Sequence, residues 1–234
     1  MSSADFDIDS LAKYLHLAPT QVSRLADRGR LPGRKIGGQW RFSEAEVHHW
    51  LEDRIGASDE EELVEMETVL DRADNSGDEP VSVAQLLALE AIAMPLPART
   101  RSSVISEMTK LAARSGLLWE PEKMAEAVRA RENLHPTALD NGVALLHPRR
   151  PMSNILAESF LALGITQQGI PFGGGNLTDI FFLICSTSDS EHLRLLARLS
   201  RLIADGAVLD AIREAQSADT VQQLIAEHEV RLTS

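Results

Sequence analysis

Two stretches of this 234-residue sequence carry side chains whose types and spacing can do chemistry. In the first, the apolar run Val143-Ala144-Leu145-Leu146 is followed at once by His147, Pro148, Arg149 and Arg150. Imidazole is nucleophilic near neutral pH and guanidinium stabilises phosphate, so a histidine at a strand end beside two arginines is a candidate phosphoryl acceptor. Taken alone, these residues fit an ordinary loop histidine more simply. The second stretch, Arg24 to Arg41, sets six basic residues (Arg24, Arg28, Arg30, Arg34, Lys35 and Arg41) against Asp27. Where arginine and glutamine stand on an exposed helix face, they can read guanine and adenine in a major groove, and nearby cations hold phosphates without reading sequence. His16, His48, His49 and His228 fall on or beside expected helix surfaces, and no histidine pair has metal-ligand spacing with cysteine or carboxylate partners. No metal and no cofactor is expected.

The elements that must position the basic stretch are short. Asp9 or Ser10 is expected to cap a helix through Leu17. Pro19 suits the first turn of a second helix to about Asp27, because its missing N–H costs nothing there, and Gly29 suits its end. Val22 and Leu25 are placed inward, leaving Thr20, Gln21, Ser23, Arg24 and Arg28 outward as the groove-facing set. Arg30, Arg34, Lys35 and Arg41 are assigned to phosphates. Ile36-Gly37-Gly38-Gln39-Trp40-Arg41-Phe42 reads as a tight β-hairpin, and Ser43 with Glu46 as a capping box opening a helix with Val47, Trp50 and Leu51. This is a winged helix-turn-helix layout. The same elements can serve as a protein-interaction module, with Trp40 and Phe42 as core.

The net charge of −12 argues against nucleic acid only until it is divided along the chain. Residues 56–82 hold ten acids and one arginine, whereas residues 1–55 balance. The acidic stretch is too polar to bury a core and is read as a linker over 57–80, between domains at 1–56 and 81–230. Leu63, Met66 and Leu70 fall at helical spacing; a dimerising helix and a solvated linker helix both fit, so a homodimer stays open. A single cysteine, Cys185, suits a reducing compartment, no apolar run is long enough to span a membrane, and a cytoplasmic location is expected.

After the linker the pattern is α/β. Helices are expected over Ser102–Gly116, Glu120–Arg131, Asp189–Ala204, Ala207–Ala215 and Asp219–Glu229. Strands are expected over Gly142–Leu146, Glu158–Ile165 and Ile180–Cys185. Such interleaving implies a mixed sheet covered by helices.

Two resemblances extend these readings. Phe6 to Leu15, Thr20-Gln21-Val22-Ser23-Arg24-Leu25, Gly29-Arg30-Leu31-Pro32 and Gly37-Gly38-Gln39-Trp40-Arg41-Phe42 resemble the excisionase-type helix-turn-helix domain, which implies binding to a DNA duplex. Ala127 to Glu132, Thr137, Gly142 to His147, Arg149, Ile170-Pro171-Phe172, Asp179 to Ile184 and Glu191 to Leu196 resemble, in order, the enzyme IIA domain of the mannitol, fructose and nitrogen-regulatory phosphotransferase class. That resemblance implies a phosphorylated histidine at His147 and a second active-site histidine at His192. It places Arg131 and Thr137 near the phosphoryl group, Arg149 at the family's basic position, and a phosphocarrier protein as partner. The family's proline before the histidine is Leu146 here, and its following glycine is Pro148, which has no N–H to offer a phosphate. The combined expectation is a DNA-binding regulator whose enzyme IIA-like domain senses the phosphotransferase system. The alternatives are a phosphocarrier with an accessory N-terminal domain, and an interaction module that accepts no phosphate.

Overall fold

The computed structural model describes residues 5–15, 17–43, 46, 47, 50, 51, 82–173 and 175–233. The chain divides into two compact units, residues 1–80 and 81–234. The expectations for His16, His48, His49, the acidic segment 57–80 and the Leu63–Leu70 helix lie outside the described residues.

In the first unit, β1 (Asp5–Phe6) leads to α1 (Ile8–Tyr14), α2 (Pro19–Asp27), β2 (Arg34–Ile36) and β3 (Gln39–Ser43), and Glu46, Val47, Trp50 and Leu51 are helical. α1 starts earlier than its sequence suggests and stops at Tyr14. Its cap is Asp7, whose Oδ1 accepts the Ser10 N–H at 2.8 Å while Ser10 Oγ accepts the Asp7 N–H at 2.9 Å, a reciprocal box. α2 opens on Pro19 and closes in a Schellman motif. The Gly29 N–H donates to Ala26 O at 3.0 Å and the Arg30 N–H to Leu25 O at 2.9 Å, with Gly29 at φ 66°. Val22 and Ala26, one turn apart, are the buried residues of α2; Leu25, expected inward, is only half-buried.

β2 and β3 pair antiparallel from Arg34↔Arg41 to Ile36↔Gln39. Gly37 and Gly38 make the two-residue turn at φ 60° and 80°, the left-handed pair a type I′ hairpin demands. β1, which no sequence signal marked, pairs with β3 through Phe6↔Phe42 and makes the sheet three-stranded, in the order β1-β3-β2. Phe42 is fully buried with Leu11, Val22, Leu31 and Val47.

The second unit contains α3 (Val83–Leu86), a 3-10 turn (Leu89–Ala91), β4 (Ile92–Ala93), α4 (Arg101–Arg114), α5 (Pro121–Leu134), β5 (Val143–Leu146), β6 (Phe160–Pro171), β7 (Leu177–Cys185), α6 (Asp189–Ala204), α7 (Gly206–Glu214) and α8 (Ala218–Thr233). The mixed sheet runs β4-β6-β7-β5, with β5 parallel to β7 and β6 antiparallel to it. Side chains alternate across a strand, so Phe181, Leu183 and Cys185 of β7 join Val104, Met108, Leu111, Met124 and Val128 of α4 and α5 in one core. Ile180, Phe182 and Ile184 are buried on the other face, where α6 packs against β7. β6 extends past Ile165, its expected end. Polar Thr166 to Gly169 interrupt the apolar pattern, and pairing resumes at Ile170↔Thr178 after a register shift.

The first and last helices of this unit are tied together. Glu229 of α8 accepts the Val83 N–H at 2.7 Å, the Ala84 N–H at 2.9 Å and the Ser82 hydroxyl at 2.8 Å, capping α3 from far along the chain. His228, expected on a solvated surface, is buried with Nδ1 3.8 Å from the Asp205 carboxylate. α8 turns that residue inward along with Val221 and Ile225.

Candidate functional site

Parallel pairing of β5 with β7 decides where the histidines meet. Leu146 is in register with Leu183, so both strands end at the same edge of the sheet. His147 leaves β5 there. After Cys185 the chain passes through Ser186 and Thr187 to Ser188, whose hydroxyl accepts the Glu191 N–H at 3.3 Å and caps α6. His192 stands in the first turn of that helix. Its ring centroid lies 5.0 Å from that of His147, with the planes at 58°. A helix N-terminus presents outward-pointing N–H groups and positive potential, a favourable place for an anion.

His147 Nδ1 is 2.8 Å from the Leu145 carbonyl oxygen. A carbonyl only accepts, so in the neutral ring Nδ1 carries the proton and Nε2 the nucleophilic lone pair. His192 Nδ1 is 3.1 Å from Ser186 Oγ. Both rings are sheltered, His147 being 2% and His192 1% exposed.

The other expected residues divide. Arg131 is buried and its Nη1 donates to His135 O at 2.9 Å. Thr137 lies alongside β5, where its carbonyl accepts the Leu145 N–H at 3.3 Å. The Thr137 N–H and hydroxyl both donate to the buried Glu132 carboxylate, which also pairs with Arg101 Nη2 at 3.0 Å. Arg149 is exposed, and Pro148 is buried between it and His147. Sequence reasoning missed Ser186, Glu132 as an anchor for Thr137, and Glu191.

Glu191 organises the turn before His192. Its Oε2 accepts hydroxyls from Ser159 and Thr187 at 2.7 Å each and from Ser188 at 3.2 Å. Burial pushes this carboxyl up, but the three hydroxyl bonds, with Arg194 nearby, outweigh it and hold it below the ordinary value of 4.5. A lowered folded value means Glu191 contributes full stability above about 4.5 and loses it as pH falls through the folded value. Thermal unfolding of Glu191→Gln is therefore expected to change less than wild type as pH is taken below 4.5. Equal acid sensitivity of the two proteins would show that the carboxylate is not the group responsible.

In the first unit Thr20, Gln21 and Arg24 are exposed on α2 and Arg28 at its C-cap, and Ser23 is half-buried, lining a groove with Asp27, Lys35 and Trp40. Thr20, Arg24 and Arg28 are four residues apart and share a face. The Gln21 carboxamide oxygen accepts the Ala18 N–H at 2.9 Å, so a two-point adenine contact would have to share that oxygen with the cap. Arg34 pairs with Asp5 at 3.1 Å, Lys35 with Asp27 at 3.4 Å and Arg41 with Asp7 at 3.8 Å. The fold thus brings Asp5 and Asp7 into a patch that the sequence shows with Asp27 alone. Such exposed pairs are worth roughly 0–1 kcal/mol and yield readily to phosphate. Arg24, Arg28 and Arg30 are exposed and form no ion pair among the described residues. Trp40 stacks on Phe42 and donates its Nε1–H to Asp27 at 3.3 Å, so both aromatics serve the domain's own packing.

Residues 85–228 match the family described as the phosphoenolpyruvate-dependent sugar phosphotransferase system, EIIA 2, and residues 6–55 match a helix-turn-helix domain. A fructose-specific EIIABC component from Bacillus subtilis is 24% identical over 64% of this chain, which spans 24% of that protein's length. A nitrogen regulatory protein from Bradyrhizobium diazoefficiens is 29% identical over 62% of this chain and 94% of its own. The crystal structure of the nitrogen regulatory protein IIA-Ntr from Neisseria meningitidis superposes with a TM-score of 0.56 at 21% identity, over 61% of this chain and 98% of that one, which shows the fold. With a family match over more than half its length, the chain belongs to the EIIA type 2 family of the phosphotransferase system and carries a helix-turn-helix domain ahead of that fold.

Proposed function

We propose that this chain is a cytoplasmic DNA-binding regulator whose EIIA domain is set by the phosphotransferase system, with His147 accepting the phosphoryl group from a phosphocarrier protein. The observation that carries this reading is the His147–His192 pair at the α6 N-terminus, with His147 Nδ1 tied to a carbonyl. The Nε2 lone pair forms the new N–P bond as the donor's N–P bond breaks, and the donor ring departs with that electron pair. His147 keeps its Nδ1 proton on Leu145, which stabilises the positive charge the ring gains. His192 hydrogen bonds the phosphoryl oxygens, Arg131 and Arg149 supply positive charge, and Thr137 shapes the wall beside β5. Phosphorylation adds about −1.5 to −2 charges, enough to alter docking onto a partner. The test is acid-labile label from phosphoenolpyruvate in the presence of the general phosphotransferase proteins. Absence of label in the wild-type chain overturns the acceptor reading.

The depth of both rings and the proline at 148 favour a second reading, an interaction module that binds phosphotransferase proteins without accepting phosphate. Unlabelled wild type that still binds a phosphocarrier protein selects it.

On the DNA side, Thr20, Gln21, Ser23, Arg24 and Arg28 would face the groove, and Arg30, Arg34, Lys35 and Arg41 the phosphates. Arg24→Ala is expected to cost about 1–3 kcal/mol in specific binding, and Arg34→Ala to weaken all duplexes alike while lowering the salt slope by about one. Titrations of a duplex pool at several salt concentrations check both. A full-length chain with no salt-sensitive binding to any duplex would leave a phosphocarrier with an accessory domain.

A further inference from the structure

Ser186 has no part in the reading above. It follows Cys185 at the end of β7, is fully buried, and its Oγ lies 3.1 Å from His192 Nδ1. We propose that Ser186 is a positioning residue that donates its hydroxyl proton to His192 Nδ1 and so fixes that ring in the Nε2–H tautomer. The proposal rests on the reading of His147 as the phosphoryl acceptor.

A hydroxyl can donate or accept, so the contact alone fits either tautomer of His192. The opposing ring selects between them. Leu145 O makes His147 Nδ1 the protonated nitrogen and Nε2 the lone pair. With both Nδ1 atoms bonded to groups at the ends of β5 and β7, Nε2 is the nitrogen that each ring would turn to a phosphoryl group bound beside the pair, whose centroids are 5.0 Å apart. Before transfer His192 neighbours the His147 lone pair, and afterwards phosphoryl oxygens; all of these accept. A second lone pair from His192 would repel them, whereas an Nε2–H bonds to them. His192 presents that proton, as a neutral ring, only when its Nδ1 is the acceptor and Ser186 the donor.

Two further features support the assignment. His192 is 1% exposed, so water is largely excluded from exchanging its protons and the local partner decides the tautomer. The span between the two residues is also fixed. The His192 N–H donates to Ser188 O at 3.0 Å, and Glu191 holds Thr187 and Ser159 at 2.7 Å each. A neutral donor in place ahead of the reaction stabilises developing charge without reorganisation.

The test is long-range ¹H–¹⁵N spectroscopy of the unphosphorylated full-length chain above the imidazole titration range, with His192 signals assigned by their loss in His192→Gln. A pyridine-like Nδ1 and pyrrole-like Nε2 are expected in wild type and in Ser186→Thr, which keeps the hydroxyl. In Ser186→Ala the tautomer ratio is expected to move about fivefold toward Nδ1–H, the equivalent of one neutral hydrogen bond, and label uptake to slow with it. A pyrrole-like Nδ1 in wild type overturns the proposal without recourse to any variant, and so does an unchanged ratio in Ser186→Ala. A pyridine-like Nδ1 in a chain that takes no label removes the acceptor reading and leaves the tautomer assignment standing. Label uptake with a pyrrole-like Nδ1 does the reverse.

Discussion

A full-length chain carrying His147→Ala is expected to take up no acid-labile label under conditions that label wild type. His147 leaves the end of β5 beside the α6 N-terminus with its Nε2 lone pair defined by the Leu145 contact. His192→Ala is expected to slow uptake without removing the site, because it takes away a hydrogen bond and leaves the nucleophile. Pro148→Gly is expected to raise uptake by roughly tenfold to a hundredfold, since one well-aimed backbone donor commonly contributes at least that much. Restoring the family's proline at 146 is a separate matter. Leu146 is fully buried and paired with Leu183, so Leu146→Pro replaces a packed leucine and empties part of a core position. Pro148→Gly alone is therefore the cleaner arm. Label that persists in His147→Ala would refute the site, and label that appears only in Pro148→Gly would mean that the proline frame had switched off an otherwise intact acceptor.

Glu132→Ala is expected to destabilise the second unit by about 3 kcal/mol, the low end for breaking a buried ion pair because the Arg101 side chain is 33% exposed. The loss is broader than one pair. The same carboxylate accepts both the N–H and the hydroxyl of Thr137, whose carbonyl in turn accepts the Leu145 N–H beside His147. Urea unfolding followed by far-ultraviolet circular dichroism measures the effect. Glu132→Gln, which keeps an acceptor but loses the charge, should fall between wild type and alanine. A loss under about 1 kcal/mol in Glu132→Ala would mean that Arg101 and Thr137 find other partners.

Strong local chemistry was readable in the sequence. The Gly37-Gly38 turn, Pro19 at the start of α2, Gly29 at its end and the apolar run of β5 each announce a backbone conformation through one or two residues. What depends on distant pairing was not. β1 is two residues long and exists because Phe42 is there to pair with Phe6. The start of α1 moved because the Asp7–Ser10 box competes better than Asp9, and Leu25 gave way to Ala26 because the helix face is set by what packs under it. His147 and His192 were paired only through likeness to a family; in the fold, parallel β5 and β7 bring them together. Ser186 carries no signal in sequence, since a serine after a strand ordinarily means nothing more than a turn.

The Glu229 contact to Val83 and Ala84 has a consequence in time. A helix of four residues cannot hold itself in water, and the carboxylate that fastens α3 is made 146 residues after Val83. At ordinary rates of synthesis that is a wait of roughly 7–30 s. Through that interval the helix-turn-helix segment has left the ribosome and is able to fold, while the opening turn of the second unit stays unfastened and accessible to chaperones. The helix-turn-helix half of this protein is thus born ahead of the half proposed to govern it.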